Sequence, residues 1–297
     1  MAKPSHIFIV GSFRTGTSLL RYMIDSSAEV GICNETKFVC GGFFRRGTRY
    51  RLTKVGDPST DSGARKIVDF IYADKMPQAF RQVTRNVSKE EFLQHFLESD
   101  RSDRALFDLT MRFYANGKPI YGEKSPAHIY KVPLLLEWFP NAKVVHTLRD
   151  PRAIFVSQRR QWLREKMDSG HYRILRKTEI TLMISVFLQV LLNWLRIARL
   201  HRQYQKRYPN NYYFVRFEDL VSDPEPTLKK VCEFLEINFS EDMLSQPVVG
   251  SSFVPRKSET QGVDTSTVDR WRNHLHPVID KSFVFWCKKY LLEFGYQ

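Results

Sequence analysis

Near the amino terminus a short apolar run, His6 to Val10, enters Gly11-Ser12-Phe13-Arg14-Thr15-Gly16-Thr17-Ser18, and a helical pattern follows. Leu19, Leu20, Met23 and Ile24 fall at helical spacing, which predicts a strand, a glycine-bounded turn and a helix from Thr17 to about Ser27. A turn in that setting can wrap an anion with backbone N–H groups at the positive end of the helix. The template G-x-x-x-x-G-K-[ST] is met at Gly11, Gly16 and Ser18, but Thr17 stands at the lysine position. In nucleoside triphosphatases that lysine reaches the β- and γ-phosphates, and the Ser/Thr holds Mg²⁺. A loop without it suits an anionic ligand that lacks a triphosphate tail, and Arg14 restores a positive charge. Taken alone, the same residues also fit an ordinary tight turn with a Thr/Ser cap. A kinase-like nucleotide binder is the reading from another class, weakened because no strand ending in a Walker-B aspartate is evident.

The rest of the chain repeats the alternation. Val132 to Phe139 reads as a short amphipathic helix, Lys143 to Leu148 as a strand, and Pro151 as the first position of a helix capped by Asp150. Tyr212 to Phe217 reads as another strand, and Ser222-Asp223-Pro224 opens a helix through Leu228, Val231 and Leu235. Strands separated by helices predict an α/β fold, a central parallel sheet flanked by helices. No Gly/Ser/Pro linker divides the 297 residues, so a single domain over 1–297 is expected. Segments 41–115 and 159–180 read as irregular, arginine-rich excursions that face a substrate. They carry Arg45, Arg46, Arg49, Arg51 and Lys54, then Arg159, Arg160, Arg164, Arg173, Arg176 and Lys177.

Charge and cysteine content narrow the function. Lys+Arg 46 against Asp+Glu 32 leaves +14, an excess that fits an anionic ligand or plain solubility. The basic residues are not interleaved with stacking aromatics on one element, so no specific nucleic-acid partner is expected. Four cysteines with no CxxC pair exclude a disulfide framework and argue against a structural zinc site. The amino terminus shows no signal-peptide order, and a cytoplasmic location is expected. Ile180 to Leu195 carries no charge but falls short of the ~20 apolar residues of a membrane helix, so it reads as a buried core helix.

Leu148-Arg149-Asp150-Pro151-Arg152-Ala153 through Ser157 places Arg149 where a strand ends and a helix begins, the ligand edge of an open α/β sheet. Arg152, one turn into the helix, competes for that role, and a surface ion pair of either arginine is the plainer alternative. Together with Phe13-Arg14-Thr15-Gly16-Thr17-Ser18-Leu19-Leu20, this segment resembles sulfotransferases that use 3′-phosphoadenosine 5′-phosphosulfate (PAPS). The first stretch resembles that family's 5′-phosphosulfate loop, and the second its 3′-phosphate motif. Cys33-Asn34-Glu35-Thr36-Lys37-Phe38 and Tyr121-Gly122-Glu123-Lys124-Ser125-Pro126 are similar to segments of the branch containing bacterial and tyrosylprotein sulfotransferases. Val215-Arg216-Phe217-Glu218-Asp219-Leu220 resembles a Tyr-Glu-Asp-Leu element, with Phe217 for the tyrosine, and Arg270-Trp271 resembles a basic-Trp pair near the nucleotide.

The resemblance implies that Arg14, Thr15, Gly16, Thr17, Ser18, Arg149, Ser157 and Arg270 bind the cosubstrate, with no metal. It implies that Arg14 and Lys124 neutralise the departing phosphate, and that Glu35 is the general base for a hydroxyl acceptor. The small-molecule branch uses a histidine two residues after that lysine. The place is Pro126 here, which leaves His128 as a second choice. Lys124 read without the resemblance is an exposed lysine paired with Glu123. A small-molecule hydroxyl acceptor is expected, with peptide tyrosine as the runner-up, and the oligomeric state is not readable.

Overall fold

The computed structural model describes residues 5–42, 46–73, 76–164, 178–245 and 265–296. Five strands, β1 (His6–Gly11), β2 (Val30–Cys33), β3 (Ile120–Lys124), β4 (Lys143–Leu148) and β5 (Tyr212–Arg216), form one sheet in the order β2-β3-β1-β4-β5. Every neighbouring pair is parallel. In chain order the helices are α1 (Thr17–Asp25), α2 (Thr48–Leu52), α3 (Asp61–Tyr72), α4 (Gln78–Asn86), α5 (Lys89–Glu98) and α6 (Asp103–Ala115). Then follow α7 (Val132–Trp138), α8 (Pro151–Arg164), α9 (Glu179–Arg207), α10 (Phe217–Ser222), α11 (Pro224–Leu235) and α12 (Pro277–Glu293).

The central strand shows why helices cover both faces. Successive side chains of a strand point to opposite sides. In β1, Phe8 and Val10 enter one core while Ile7 and Ile9 enter the other, and all four are fully buried. Leu20, Met23 and Ile24 of α1, with Leu228 and Val231 of α11, complete the smaller core. The larger core is filled from the opposite face by α3 to α9 and α12. This is the α/β architecture expected for a parallel sheet buried on both sides.

Three expectations change. Segment 41–115 is not irregular: it folds into α2 to α6. Thr60, Ser88 and Ser102 cap α3, α5 and α6, each accepting the backbone N–H three residues on, from Gly63, Glu91 and Ala105. Its described arginines lie on this helical surface: Arg46 and Arg51 stack over Tyr50 and Phe70, 3.9 and 5.7 Å to the ring centres, and Arg49 pairs with Asp103 at 3.5 Å. Arg45 lies outside the described residues. Of the second excursion, 159–164 is the end of α8 and Arg159 pairs with Glu179. Residues 165–177, with Arg173, Arg176 and Lys177, lie outside the described residues.

The third change concerns α9. One side is core, with Leu182, Val186, Val190, Trp194, Ile197 and His201 buried. The opposite side leaves Ile180, Ile184, Leu188 and Leu192 exposed at four-residue spacing. The buried-core expectation therefore holds for one face only. By length and composition alone α9 is long and apolar enough to cross a membrane. From Trp194 onward it is tied into the core: Trp194 Nε1 donates to the Arg149 carbonyl at 2.9 Å, and the His201 ring lies 4.4 Å from that of Phe214 in β5.

Candidate active site

Parallel strands bring their carboxyl ends to one edge, and four of the five carry the residues singled out from the sequence. The connection after β1 runs to β2 on one side of the sheet, and the connection after β4 runs to β5 on the other. Such a reversal opens a crevice at the carboxyl edge. The loop after β1 therefore lies between Lys124 at the end of β3 and Arg149 just past β4.

Loop 12–16 is fastened to β4 and α8. Thr15 Oγ1 donates to the Ser12 carbonyl at 2.8 Å and lies 3.0 Å from Thr147 Oγ1, so its side chain is committed to the loop itself. Arg14 Nε donates to Ser157 Oγ at 2.8 Å, which joins the loop to α8. Asn193 of α9 donates to Ser12 Oγ at 3.0 Å and contacts Tyr130 OH. Gly16 caps α1 in the left-handed region, φ +81°, with no side-chain cap on the helix. Thr17 and Ser18 form its first turn. A Cβ at Gly16 would lie 2.4 Å from Phe217 Cδ2, so only glycine lets the loop settle on that ring. Gly16→Ala should destabilise the fold by about 1–3 kcal/mol, the range for strained left-handed backbone, read as a lower denaturant midpoint.

The opposite face of the crevice is built on the same ring. The Arg149 guanidinium lies 4.2 Å over Phe217, and its Nη2 donates to the Thr267 carbonyl. Arg149 Nε is buried with no hydrogen-bond partner among the described residues. Burial pulls its pKa down to about 10, Glu218 opposing and Arg14 adding to the depression. The guanidinium stays charged at neutral pH, in a place where a further anion is electrostatically favoured. Phe217, standing where the resemblance expects tyrosine, thus acts as a wedge between Gly16 and Arg149. Arg152 is committed elsewhere: it pairs with Asp150 at 2.7 Å and Asp280 at 3.2 Å and lies 4.8 Å over Trp271. Asp150 caps α8 through the Arg152 N–H at 2.8 Å, as its position before Pro151 implies. Arg270 is exposed, three residues beyond Thr267.

At the β2–β3 side, Lys124 is fully buried, and its Nζ donates to Glu35 Oε1 at 2.9 Å. Burial lowers its pKa, opposed by Glu35. The reading of an exposed lysine paired with Glu123 is wrong, because adjacent strand residues point to opposite faces. Glu123 turns the other way: its Oε1 accepts the Thr36 N–H and Oγ1–H, both at 2.6 Å, and Oε2 stands 3.0 Å from His128 Nδ1. His128 Nε2 in turn accepts the Val39 N–H at 3.3 Å, so the buried ring is used to hold the segment after Glu35. Of the Glu123–Thr36–His128 cluster the sequence pointed only to His128, and to a different role, although Glu123 and Thr36 lie within the two segments that resemble the bacterial and tyrosylprotein branch. Glu35 Oε2 lies 3.7 Å from Lys37 Nζ, and the side chain keeps 12% of its surface exposed. No group of three or more metal-ligating side chains occurs among the described residues.

Residues 4–241 match the model of the sulfotransferase family, and the chain belongs to that family. An omega-hydroxy-beta-dihydromenaquinone-9 sulfotransferase of Mycobacterium bovis is 27% identical over 138 residues, 44% of this chain and 32% of that protein. A protein-tyrosine sulfotransferase of Drosophila melanogaster is 24% identical over 266 residues, 89% of this chain and 43% of that protein. The chain thus spans about a third of the length of the first and under half of the second. The fold is shared with the sulfotransferase domain of the Synechococcus PCC 7002 olefin synthase, at TM-score 0.60 and 19% identity over 100% of this chain and 97% of that one. The sulfotransferase domain of the curacin biosynthetic pathway gives 0.58 and 20%, over 100% and 99%. Bacterial and tyrosylprotein enzymes both appear among these relatives, and no single branch is set apart.

Proposed function

We propose that this chain transfers a sulfuryl group from PAPS to a hydroxyl of a small-molecule acceptor, in line, with Glu35 as general base. One observation carries the reading. The loop that begins α1 and the buried arginine after β4 meet on the two sides of Phe217, while Arg14 bonds Ser157 across the same gap. That arrangement suits a nucleotide with anionic groups at both ends. It gives strand β1, loop 12–16 and helix α1 the role of a phosphate cradle.

In this reading the backbone N–H groups of Thr15 to Ser18, the hydroxyls of Thr17 and Ser18, and Arg14 hold the 5′-phosphosulfate. Thr15 contributes through its backbone, since its hydroxyl is spent on the loop. Arg149 and Ser157 hold the 3′-phosphate, and Arg270 approaches the nucleotide from its exposed turn. The buried, unsatisfied Nε of Arg149 supports the assignment, because an anion there would supply the missing acceptor. The donor supplies a sulfuryl group activated by its phosphate leaving group. Glu35 takes the acceptor proton as the new O–S bond forms and the S–O bond to phosphate breaks. Lys124 and Arg14 face the negative charge that collects on the departing phosphate, an electrostatic role. Residues 1–297 act as one catalytic domain in the cytoplasm.

The acceptor is a hydroxyl compound of natural-product, lipid or sugar type. The match to a mycobacterial enzyme named for a hydroxylated menaquinone supports this choice. Peptide tyrosine is the second reading, favoured by the breadth of the match to the Drosophila enzyme. Incubation with labelled PAPS and a panel of phenols, sterols, sugars, alkaloids and tyrosine peptides decides between them, read as the mass gain of one sulfonate. A thermal shift with Mg²⁺ and ATP but none with PAPS would instead support the kinase-like reading. Arg149→Ala should weaken binding of the desulfonated nucleotide by about 10- to 100-fold, the ~1.5–3 kcal/mol of a charged hydrogen bond. An unchanged calorimetric affinity would remove Arg149 from that role.

A further inference from the structure

The outer faces of α9 and α12 expose large apolar side chains to water. On α9 the exposures of Ile180, Ile184, Leu188 and Leu192 are 64%, 48%, 48% and 66%, and on α12 those of Phe285 and Trp286 are 75% and 60%. The two helices lie side by side and run in the same direction. The Phe187 ring is 4.8 Å from Phe283 and the Trp194 ring 6.3 Å from Tyr290, while Arg202 pairs with Glu293 at 3.2 Å. Both turn their buried sides to the same core, so their outer faces look the same way, away from the sheet. Scattered apolar residues on a surface are ordinary, but large ones gathered on adjoining helices mark an interaction site.

The charge around this face bears on its partner. Lys281, Lys288 and Lys289 are exposed within about a turn of Phe285, and the charge-free half of α9 gives way to exposed Arg196 and Arg199. The acidic residues of the two helices are Glu179, Asp280 and Glu293, and arginines engage all three: Arg159, Arg152 and Arg202. The face is therefore apolar and cationic, within a chain of net charge +14. A second copy of the chain would set two positive faces against each other. We propose that this face docks on an anionic phospholipid bilayer. Phe285, Trp286 and the α9 stripe enter the boundary between headgroups and acyl chains, while the lysines and arginines meet lipid phosphates. The helix crosses the carboxyl edge of the sheet near Asn193 and Trp194, so its apolar half extends beyond that edge. Docking would turn the crevice toward the membrane surface.

The test needs neither nucleotide nor turnover. The full chain is sedimented with phosphatidylcholine vesicles, with and without phosphatidylglycerol. Wild type should pellet with the anionic vesicles, less so as salt rises, and lipids with brominated chains should quench a part of the tryptophan fluorescence that Trp286→Phe removes. Leu188→Glu with Leu192→Glu should reduce vesicle binding tenfold or more with circular dichroism unchanged, since both side chains are exposed. Lys281→Glu with Lys288→Glu should abolish the preference for phosphatidylglycerol. Wild type that stays in the supernatant with anionic vesicles, or is not quenched by brominated lipid, overturns the proposal. So does a dimer in solution that the Leu188→Glu, Leu192→Glu variant dissociates while wild type ignores lipid, because the occupant would then be a second copy.

Discussion

Glu35→Ala should lower kcat by roughly 10²-fold or more, the scale of a lost general base, and leave nucleotide affinity nearly unchanged. The expectation follows from position. Two residues past the end of β2, the carboxylate stands at the crevice with one oxygen accepting from Lys124 and 12% of its side chain exposed. Removing it also removes the anion that faces buried Lys124, so Ala alone confounds two effects. Glu35→Gln separates them: it keeps an oxygen for Lys124 but cannot take a proton, and it should lose a similar factor in kcat. His128 is placed differently. Its ring is buried, one nitrogen accepts the Val39 N–H and the other faces Glu123, so it positions the segment after Glu35. Single-turnover rates for both residues decide the matter. Normal turnover in Glu35→Ala beside a dead His128→Ala would reverse the assignment.

What was legible in the sequence was local. The glycine loop, the Asp150–Pro151 helix start and the alternation of strands and helices depend on neighbours within a few residues, and all take the expected form. The charged strand β3 was not assigned as a strand, because Glu123 and Lys124 look like surface residues until their partners are known. Those partners, Thr36, Glu35 and His128, sit on other elements. Arg152 resembled a ligand residue for the same reason, since Asp280 and Trp271, which hold it, come from the far end of the chain. Segment 41–115 illustrates a different failure. Its short helices, dense in arginine, blur the apolar period. Only packing on the larger core shows that residues such as Ile67, Phe80 and Phe96 form one side. For α9, composition announced an apolar helix without saying which face the protein would cover.

Lys124→Ala should cost more than any other single change, about 10³-fold in kcat, comparable to removing an oxyanion donor in a water-poor site. Its ammonium is fully buried at the carboxyl edge and held by Glu35, and the proposed reaction sets it against the charge on the leaving phosphate. The pH profile gives the sharper test. Burial lowers the pKa of this lysine, so it loses its proton at a lower pH than an ordinary lysine. Since the charged form is the useful one, kcat/KM, which reports the free enzyme, should fall on the alkaline side as pH passes that lowered value. Lys124→Arg retains a cation that is harder to deprotonate than lysine, so the alkaline fall should move to higher pH even if the bulk of the planar head costs some rate. An alkaline limb that stays in place in Lys124→Arg would show that another group sets it. If Lys124→Ala also keeps its rate, the charge facing the leaving phosphate must come from Arg14 alone.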